Sequence, residues 1–321
     1  MSAGRVVTLG ETMGLLAATT VGHLQHVSHM ALGIGGAESN VAIALSRLGT
    51  PVSWIGRLGA DSVGDRVVRE LTAEGVDVHA VRDSGAPTGL MLKERLPGGA
   101  VKVWYYRAHG AGARLAPADV DDALVAGAGL LHVTGITPAL GESAAATVFH
   151  AVDVARAAGV TVSVDVNHRS ALWPPETAAP VLRDLVARAD IVFAGDDEAA
   201  LVLGREDAEH AEDPKELATA LTGLGPASAV IKLGAEGALA LVDGVFHQRA
   251  AVPVQAVDPV GAGDAFVGAY LSELMAGADV ERCLETAVLA GALLCTVPGD
   301  WEGMPTRAVL DGWTGVTDVQ R

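Results

Sequence analysis

Cysteine is scarce in this chain, and so is positive charge. Only Cys283 and Cys295 are present, both in apolar helical sequence near the C-terminus. Neither fits a metal-ligand spacing or a disulfide framework, so both read as reduced core residues. Against 39 acidic residues stand 22 lysines and arginines, a formal net charge of −17. No net positive field exists to draw in nucleic acid or an anionic membrane. A few local arginines still suffice for an anionic small substrate. No apolar run reaches membrane-spanning length; the longest, around Ala287–Val297, suits a buried helix better. No signal-peptide layout precedes the strand-like Val6-Val7-Thr8-Leu9. The expectation is a soluble, cytoplasmic protein.

Other familiar motifs are also missing. There is no Gly-x4-Gly-Lys-Ser/Thr string, which excludes a P-loop enzyme. No Gly-x-Gly-x-x-Gly follows the first strand, which argues against a dinucleotide-dependent oxidoreductase. No Gly-x-Ser-x-Gly elbow is present. Internal repeats, low-complexity tracts and Pro/Ser-rich linkers are absent. The 321 residues therefore read as one large α/β domain, residues 1–321, with a smaller added element.

What is there is an alternation of short apolar strands with alanine-rich helices. Strands are predicted at Val6–Leu9, Val52–Ile55, Leu130–Thr134, Val160–Val166, Ile191–Phe193 and Ala229–Leu233. Helices are predicted at Glu38–Leu48, Ser62–Glu74, Glu142–Ala158, Glu176–Arg188, Pro214–Leu224, Asp264–Ala276 and Val280–Thr296. Fully apolar strands between helices indicate a mostly parallel sheet covered on both faces. Two stretches break the pattern. Leu15–Leu32 alternates polar residues and carries His23, His26 and His29, whose spacing fits a solvated surface rather than a metal site. Gly89–Leu96 and Ala100–Tyr106 form a hairpin around Pro97-Gly98-Gly99. Together, about 13–34 and 86–115, they make a small sheet beside the main domain. Its exposed edge invites pairing, so a homo-oligomer through this sheet is expected.

The most informative string is Asp258-Pro259-Val260-Gly261-Ala262-Gly263-Asp264, which runs directly into a helical segment. A glycine-rich turn at a helix start presents free backbone N–H groups at the positive end of the dipole, suited to phosphate. Asp264 beside that anion hole is explained if the amides hold a phosphoryl group while the carboxylate takes a proton from an attacking alcohol. Taken alone, Asp264 could equally be an N-cap. A second string is Gly35-Gly36-Ala37-Glu38-Ser39-Asn40, opening an apolar-periodic helix that stops at Gly49. Capping explains much of it, but not an Asn inside the first turn.

These two strings, more than 200 residues apart, resemble the paired signatures of the ribokinase-like (PfkB) carbohydrate kinases. The resemblance implies a three-layer α/β/α domain with a mostly parallel central sheet and a small β-sheet lid. It implies Asp264 as catalytic base, Gly261, Ala262 and Gly263 as the anion hole, and Gly35, Gly36 and Asn40 as sugar contacts. It implies ATP and Mg²⁺ and is compatible with a monovalent cation. The turn Lys232-Leu233-Gly234-Ala235-Glu236-Gly237 is similar to the family's nucleotide side, giving Lys232, Gly234, Gly237, Gly261 and Gly263 as nucleotide contacts. By itself that turn is an ordinary strand-to-hairpin connection. In Gly195-Asp196-Asp197-Glu198 the family's Asn is replaced by Gly195 while Glu198 is kept, so Glu198 has at most an indirect part in holding metal.

The substrate reading rests on Tyr105-Tyr106-Arg107, Asp165-Val166-Asn167-His168-Arg169, Gly135-Ile136-Thr137-Pro138-Ala139-Leu140 and Asp300. Two arginines can converge on a planar carboxylate, which a neutral sugar would not need. Singly, each is more often a surface residue. The combination resembles 2-keto-3-deoxygluconate kinases, in which Tyr105, Arg107 and Arg169 bind the keto-acid end and Asp300 the far hydroxyls. Met91 and His168 stand where such enzymes often carry Tyr. Gly10-Glu11-Thr12-Met13-Gly14 has no Asp where ribokinase and adenosine-kinase relatives place one for ring hydroxyls, a departure from that resemblance which disfavours ribose or a nucleoside. The alternatives are a fructokinase or other neutral-sugar kinase, and a catalytically silent sugar-binding regulator.

Overall fold

Val6 and Val7 are neighbours on one strand, yet each is buried in a different apolar layer. The same division separates Leu130 from Leu131, and Phe193 from Val192 and Ala194. Successive strand side chains point to opposite faces, so a sheet apolar on both faces must be covered on both. The structure, a computed structural model, describes residues 4–205 and 213–313. Its strands are β1 (Val6–Leu9), β2 (Met13–Ala18), β3 (Met30–Gly35), β4 (Val52–Gly59), β5 (Asp77–Asp83), β6 (Leu90–Arg95), β7 (Val101–Tyr106), β8 (Leu130–Thr134), β9 (Thr161–Asp165), β10 (Ile191–Gly195), β11 (Ser228–Lys232), β12 (Ala238–Val242) and β13 (Val245–Arg249).

The large sheet has nine strands in the order β5-β4-β1-β8-β9-β10-β11-β12-β13. All pairings from β5 to β11 are parallel, and β12 and β13 are added antiparallel. One face packs on the helices Ala37–Arg47, Ser62–Ala73, Ala262–Met275 and Val280–Leu294. The other packs on Glu142–Ala157, Pro175–Ala187, Asp196–Leu203 and Pro214–Thr222. Three predicted strands run on or shift by a residue or more: β4 continues to Gly59, β10 reaches Gly195, and β11 occupies Ser228–Lys232. Prediction passed over β5 and the β12–β13 hairpin. β5 is half-exposed and polar, which hides its period. The hairpin had a readable signal in Asp243-Gly244, both at positive φ (49° and 76°), a turn suited to tight hairpins.

β1 pairs with β4 on one side and β8 on the other, so the chain reverses its direction of travel across the sheet at β1. Crevices form at the carboxyl ends of strands at such a point. Glu11 follows β1 there, and Ile136 follows β8. A separate four-stranded sheet, β3-β2-β6-β7, stands over this end. Its β6–β7 hairpin turns at Pro97–Gly99 and pairs antiparallel, with Met91 opposite Tyr105. Met13, Leu15 and Met91 form its own small apolar cluster.

Candidate active site

Gly261 opens the helix Ala262–Met275 in the left-handed conformation, at φ 84°. A Cβ there would fall 1.9 Å from the Asp300 carbonyl oxygen, so both conformation and space demand glycine. Gly261 offers no capping side chain, and Asp264 lies one turn in, so Asp264 is not the N-cap. The Ala262 amide donates to the Pro259 carbonyl at 3.2 Å. Of the predicted anion hole, that amide is thus engaged. Gly263 and Asp264, in the first turn, have no intrahelical acceptor for their N–H groups. The turn is pinned by the Val257 and Asp258 amides, which both donate to the Cys295 carbonyl.

The Asp264 carboxylate is buried. Its Oδ2 accepts a hydrogen bond from Asn40 Nδ2 at 2.8 Å, and its Oδ1 a longer one from Asn167 Nδ2 at 3.4 Å. Burial pushes its pKa up to about 7, the amide of Asn40 and the charge of Arg169 opposing it. A carboxyl poised near neutral pH is suited to accepting a proton. Asn40, which looked misplaced for a cap, instead holds this carboxylate from the first turn of its own helix.

Asp264 lines one of two cavities, and Gly263 just before it lines the other. On one side Glu11, Met13, Gly36, Asn40, Met91, Tyr105, Arg107, Ile136, Arg169 and Asp300 surround it. Gly35 lies against Asp300 there: a Cβ on it would meet Asp300 Oδ2 at 2.5 Å. A Cβ on Gly36 would strike the Glu11 carbonyl at 2.2 Å. On the other side is an apolar groove of about 460 Å³, lined by Val252, Pro253, Val254, Phe266, Val288 and Cys295, with Lys232, Gly234, Gly237 and Gly263 at its polar end. Such a volume and lining suit a flat heterocycle. Gly237 has φ 110°, and a Cβ there would meet the Arg249 carbonyl at 2.0 Å. Cys295 thus borders the groove instead of the core, while Cys283 is buried as predicted.

Two predicted residues arrive already engaged. Arg107 is buried and forms an ion pair with Glu11, and its guanidinium lies 5.5 Å from the centre of the Tyr105 ring. Of the two arginines expected to converge on a carboxylate, only Arg169 stands exposed at the rim, its Nη1 donating to the His168 carbonyl. Glu198 spends Oε2 on the Gly195 amide at 2.8 Å, as a helix cap, with Lys232 3.9 Å away. Lys232 itself pairs with Asp165 at 2.6 Å.

Two side chains of the site, Glu11 and Lys93, have no role assigned from sequence, and Asp165 and Asn167 enter only as part of the string that ends in Arg169. Glu11 occupies the post-strand position where only an Asp was sought, and burial raises its carboxyl above the ordinary value against the pull of Arg107. Burial also raises Glu38, although Thr137 and Thr134 donate to its Oε1. Lys93 follows Met91 on the inward face of β6, a lysine in an apolar register. The lid histidines His23, His26 and His29 are exposed, and no cluster able to hold a metal occurs among the described residues. No described helix is long and apolar enough to cross a membrane.

The family model described as pfkB family carbohydrate kinase matches residues 3–307. A 2-dehydro-3-deoxygluconokinase of Bacillus subtilis is 37% identical over 95% of this chain and 93% of its own. A 2-dehydro-3-deoxygalactonokinase of Haloferax volcanii is 35% identical over 92% of each. The solved structure of the Thermotoga maritima 2-dehydro-3-deoxygluconokinase superposes with a TM-score of 0.88 at 28% identity, over 96% of this chain and 98% of that one. With its three layers, its lid sheet and its paired signatures, the chain belongs to the pfkB family of carbohydrate kinases.

Proposed function

We propose that this protein transfers the γ-phosphoryl group of ATP to the C6 hydroxyl of 2-keto-3-deoxygluconate, giving the 6-phosphate. The observation that carries the reading is the placement of Asp264: a buried carboxyl near neutral pKa, in the first turn of a helix with no capping side chain, lining a polar pocket while the adjacent Gly263 lines an apolar groove. Sugar-acid kinases among the relatives support the acceptor class.

In this scheme the groove takes the adenine, and Lys232, Gly234 and Gly237 border its phosphates. The Gly261–Gly263 turn stabilises charge on the transferring group, with the Gly263 and Asp264 amides offered to it. Asp264 removes the C6 hydroxyl proton, and Asn40 keeps its carboxylate aimed. Gly35 and Gly36 give the acceptor close access, and Asp300 holds its far hydroxyls. Tyr105 and Arg169 receive the keto-acid end. Arg107 presents its guanidinium from the Glu11 pair. Mg²⁺ brought in with ATP would offset the charge of the phosphates; Glu198 is committed to a cap and no acidic cluster able to hold a metal occurs among the described residues, so Glu198 would act on such an ion only through water. The lid sheet closes over the acceptor and excludes water.

The edge strands β3 and β7 carry Leu32, Trp104, Tyr105 and Tyr106, all at least 40% exposed, which favours pairing of two lids in a homo-oligomer. With its net charge of −17 the protein is proposed to act in the cytoplasm on small molecules alone.

One observation favours a second reading, a neutral-sugar kinase: Arg107 is neutralised by Glu11, leaving a single exposed arginine at the rim. An ADP-release assay with ATP and Mg²⁺ decides between them. It compares 2-keto-3-deoxygluconate, its galactose-series epimer, gluconate, fructose and ribose. Preference for a keto-deoxy acid supports the proposal, turnover of fructose alone replaces it with the second reading, and silence on every sugar overturns both in favour of a sugar-binding regulator.

A further inference from the structure

Strand β6 of the lid sends a lysine into the interior. Met91 and Lys93 share its inward face, two residues apart. Met91 packs on Met13 and Leu15, whereas Lys93, 2% exposed, reaches past the lid into the main body. Its ammonium lies 2.7 Å from Asp258 Oδ2, 2.9 Å from Asp300 Oδ1 and 2.8 Å from the Gly299 carbonyl oxygen. An ammonium has three N–H groups and no acceptor; three oxygens meet it here.

Those oxygens belong to the two segments that shape the reacting end of the site. Asp258 begins the turn that ends in Gly261, and it also accepts from the Val260 amide and the Gly299 amide, each at 3.2 Å. The Asp300 backbone lies against Gly261 so closely that no Cβ fits between them. Two buried carboxylates brought this near each other require a cation, since uncompensated buried charge is strongly unfavourable. The chain supplies it from the lid. Lys93 lines neither cavity, so it reaches the site only through Asp258, Asp300 and the Gly299 carbonyl.

We propose that the Lys93 ammonium is a built-in monovalent cation: it locks the Asp258–Gly261 turn to the Asp300 loop and to the lid strand, so that phosphoryl transfer needs no added K⁺ or Na⁺. Lys93 is a positioning residue, and the inference rests on the reading that this turn holds the transferring phosphoryl group. A lid strand pinned by such a pair also ties acceptor enclosure to the geometry of the anion hole.

The test begins with the wild-type protein, ATP, Mg²⁺ and 2-keto-3-deoxygluconate in tetramethylammonium, Na⁺ or K⁺ chloride at equal ionic strength. The same turnover in all three is expected. Lys93→Ala in tetramethylammonium should lose kcat by about a hundredfold, the scale of a misplaced oxyanion site. Adding NH₄⁺ or K⁺ should restore it about tenfold as the ion occupies the freed position, with KM for ATP changed far less. The melting temperature of Lys93→Ala should rise with NH₄⁺ or K⁺ and not with tetramethylammonium, and that of the wild type should not respond. Melting needs no turnover, so it separates failure of this inference from failure of the proposed reaction. Strong activation of the wild type by K⁺ overturns the inference. So does a Lys93→Ala protein with unchanged kcat, or one that responds equally to all three salts. The wild-type comparison stands even if Lys93→Ala does not fold.

Discussion

Replacing Asp264 with Asn separates what this carboxyl contributes to chemistry from what it costs the fold. Its pKa is raised from 3.8 to about 7 by burial. A raised carboxyl pKa means that the folded state holds its proton more tightly than the unfolded state. The associated stability is fully present below pH 3.8 and is lost as pH rises through about 7. At about 1.4 kcal/mol for each pH unit, the full loss is about 4 kcal/mol, of which about 2–3 kcal/mol falls between pH 5 and 8. Asn fills the same space and has no charge to bury. Urea unfolding of both proteins across pH 5–8 should therefore show Asp264→Asn gaining about 2–3 kcal/mol on the wild type, the gain flattening above neutrality. The same variant should lose kcat by about 10²–10⁴-fold, as expected on removing a general base. Wild-type kcat/KM should rise with pH up to about 7, as the free carboxylate forms. A stability difference that does not change with pH would refute the burial argument. Near-normal turnover by Asp264→Asn would refute the base assignment independently.

Three further outcomes are expected. Arg169→Ala should weaken the keto acid by about 1.5–3 kcal/mol for a lost charged hydrogen bond and leave fructose nearly unaffected, read from the two KM values. Gly261→Ala should destabilise the protein by at least about 1–3 kcal/mol in thermal or urea unfolding and depress kcat, because φ of 84° and the Asp300 carbonyl both oppose a Cβ. Cys295 borders the apolar groove and its thiol is pushed up by burial, so alkylation at pH 8 should be slow and slower still with ATP; mass spectrometry of the labelled peptide, with buried Cys283 as the internal reference, checks this.

Much of the fold was legible because its signals are local. The parallel strands are continuous apolar runs, and the helices between them start and stop at capping residues and glycines, as at Asp61, whose side chain accepts from the Gly64 amide. The less legible strands were β5, whose face is half-exposed, and β12–β13, which stand at the other edge of the sheet. β13 is largely exposed, which weakens its apolar pattern, whereas β12 is buried but made mostly of alanine and leucine, which carry little strand preference; the Asp243-Gly244 turn marks the hairpin. Asp264, Gly261 and Gly263 could be singled out because they stand together in one short string that resembles a family signature. Glu11 and Lys93 could not, because their importance lies in what they face.

The sequence by itself determined the α/β architecture, the position of the glycine turn at a helix start and the identity of the carboxyl beside it, since backbone conformation and helix initiation depend on residues a few places apart. Only the tertiary structure decided the partners of the buried charges. Asn40 meets Asp264, Glu11 meets Arg107, and Lys93 meets Asp258 and Asp300 across long stretches of chain. Those meetings follow from the strand order reversing at β1 and from the lid folding over that point. Burial then sets the electrostatics: the same carboxyl that would titrate near 3.8 in an open chain is moved to about 7 once protein replaces water around it.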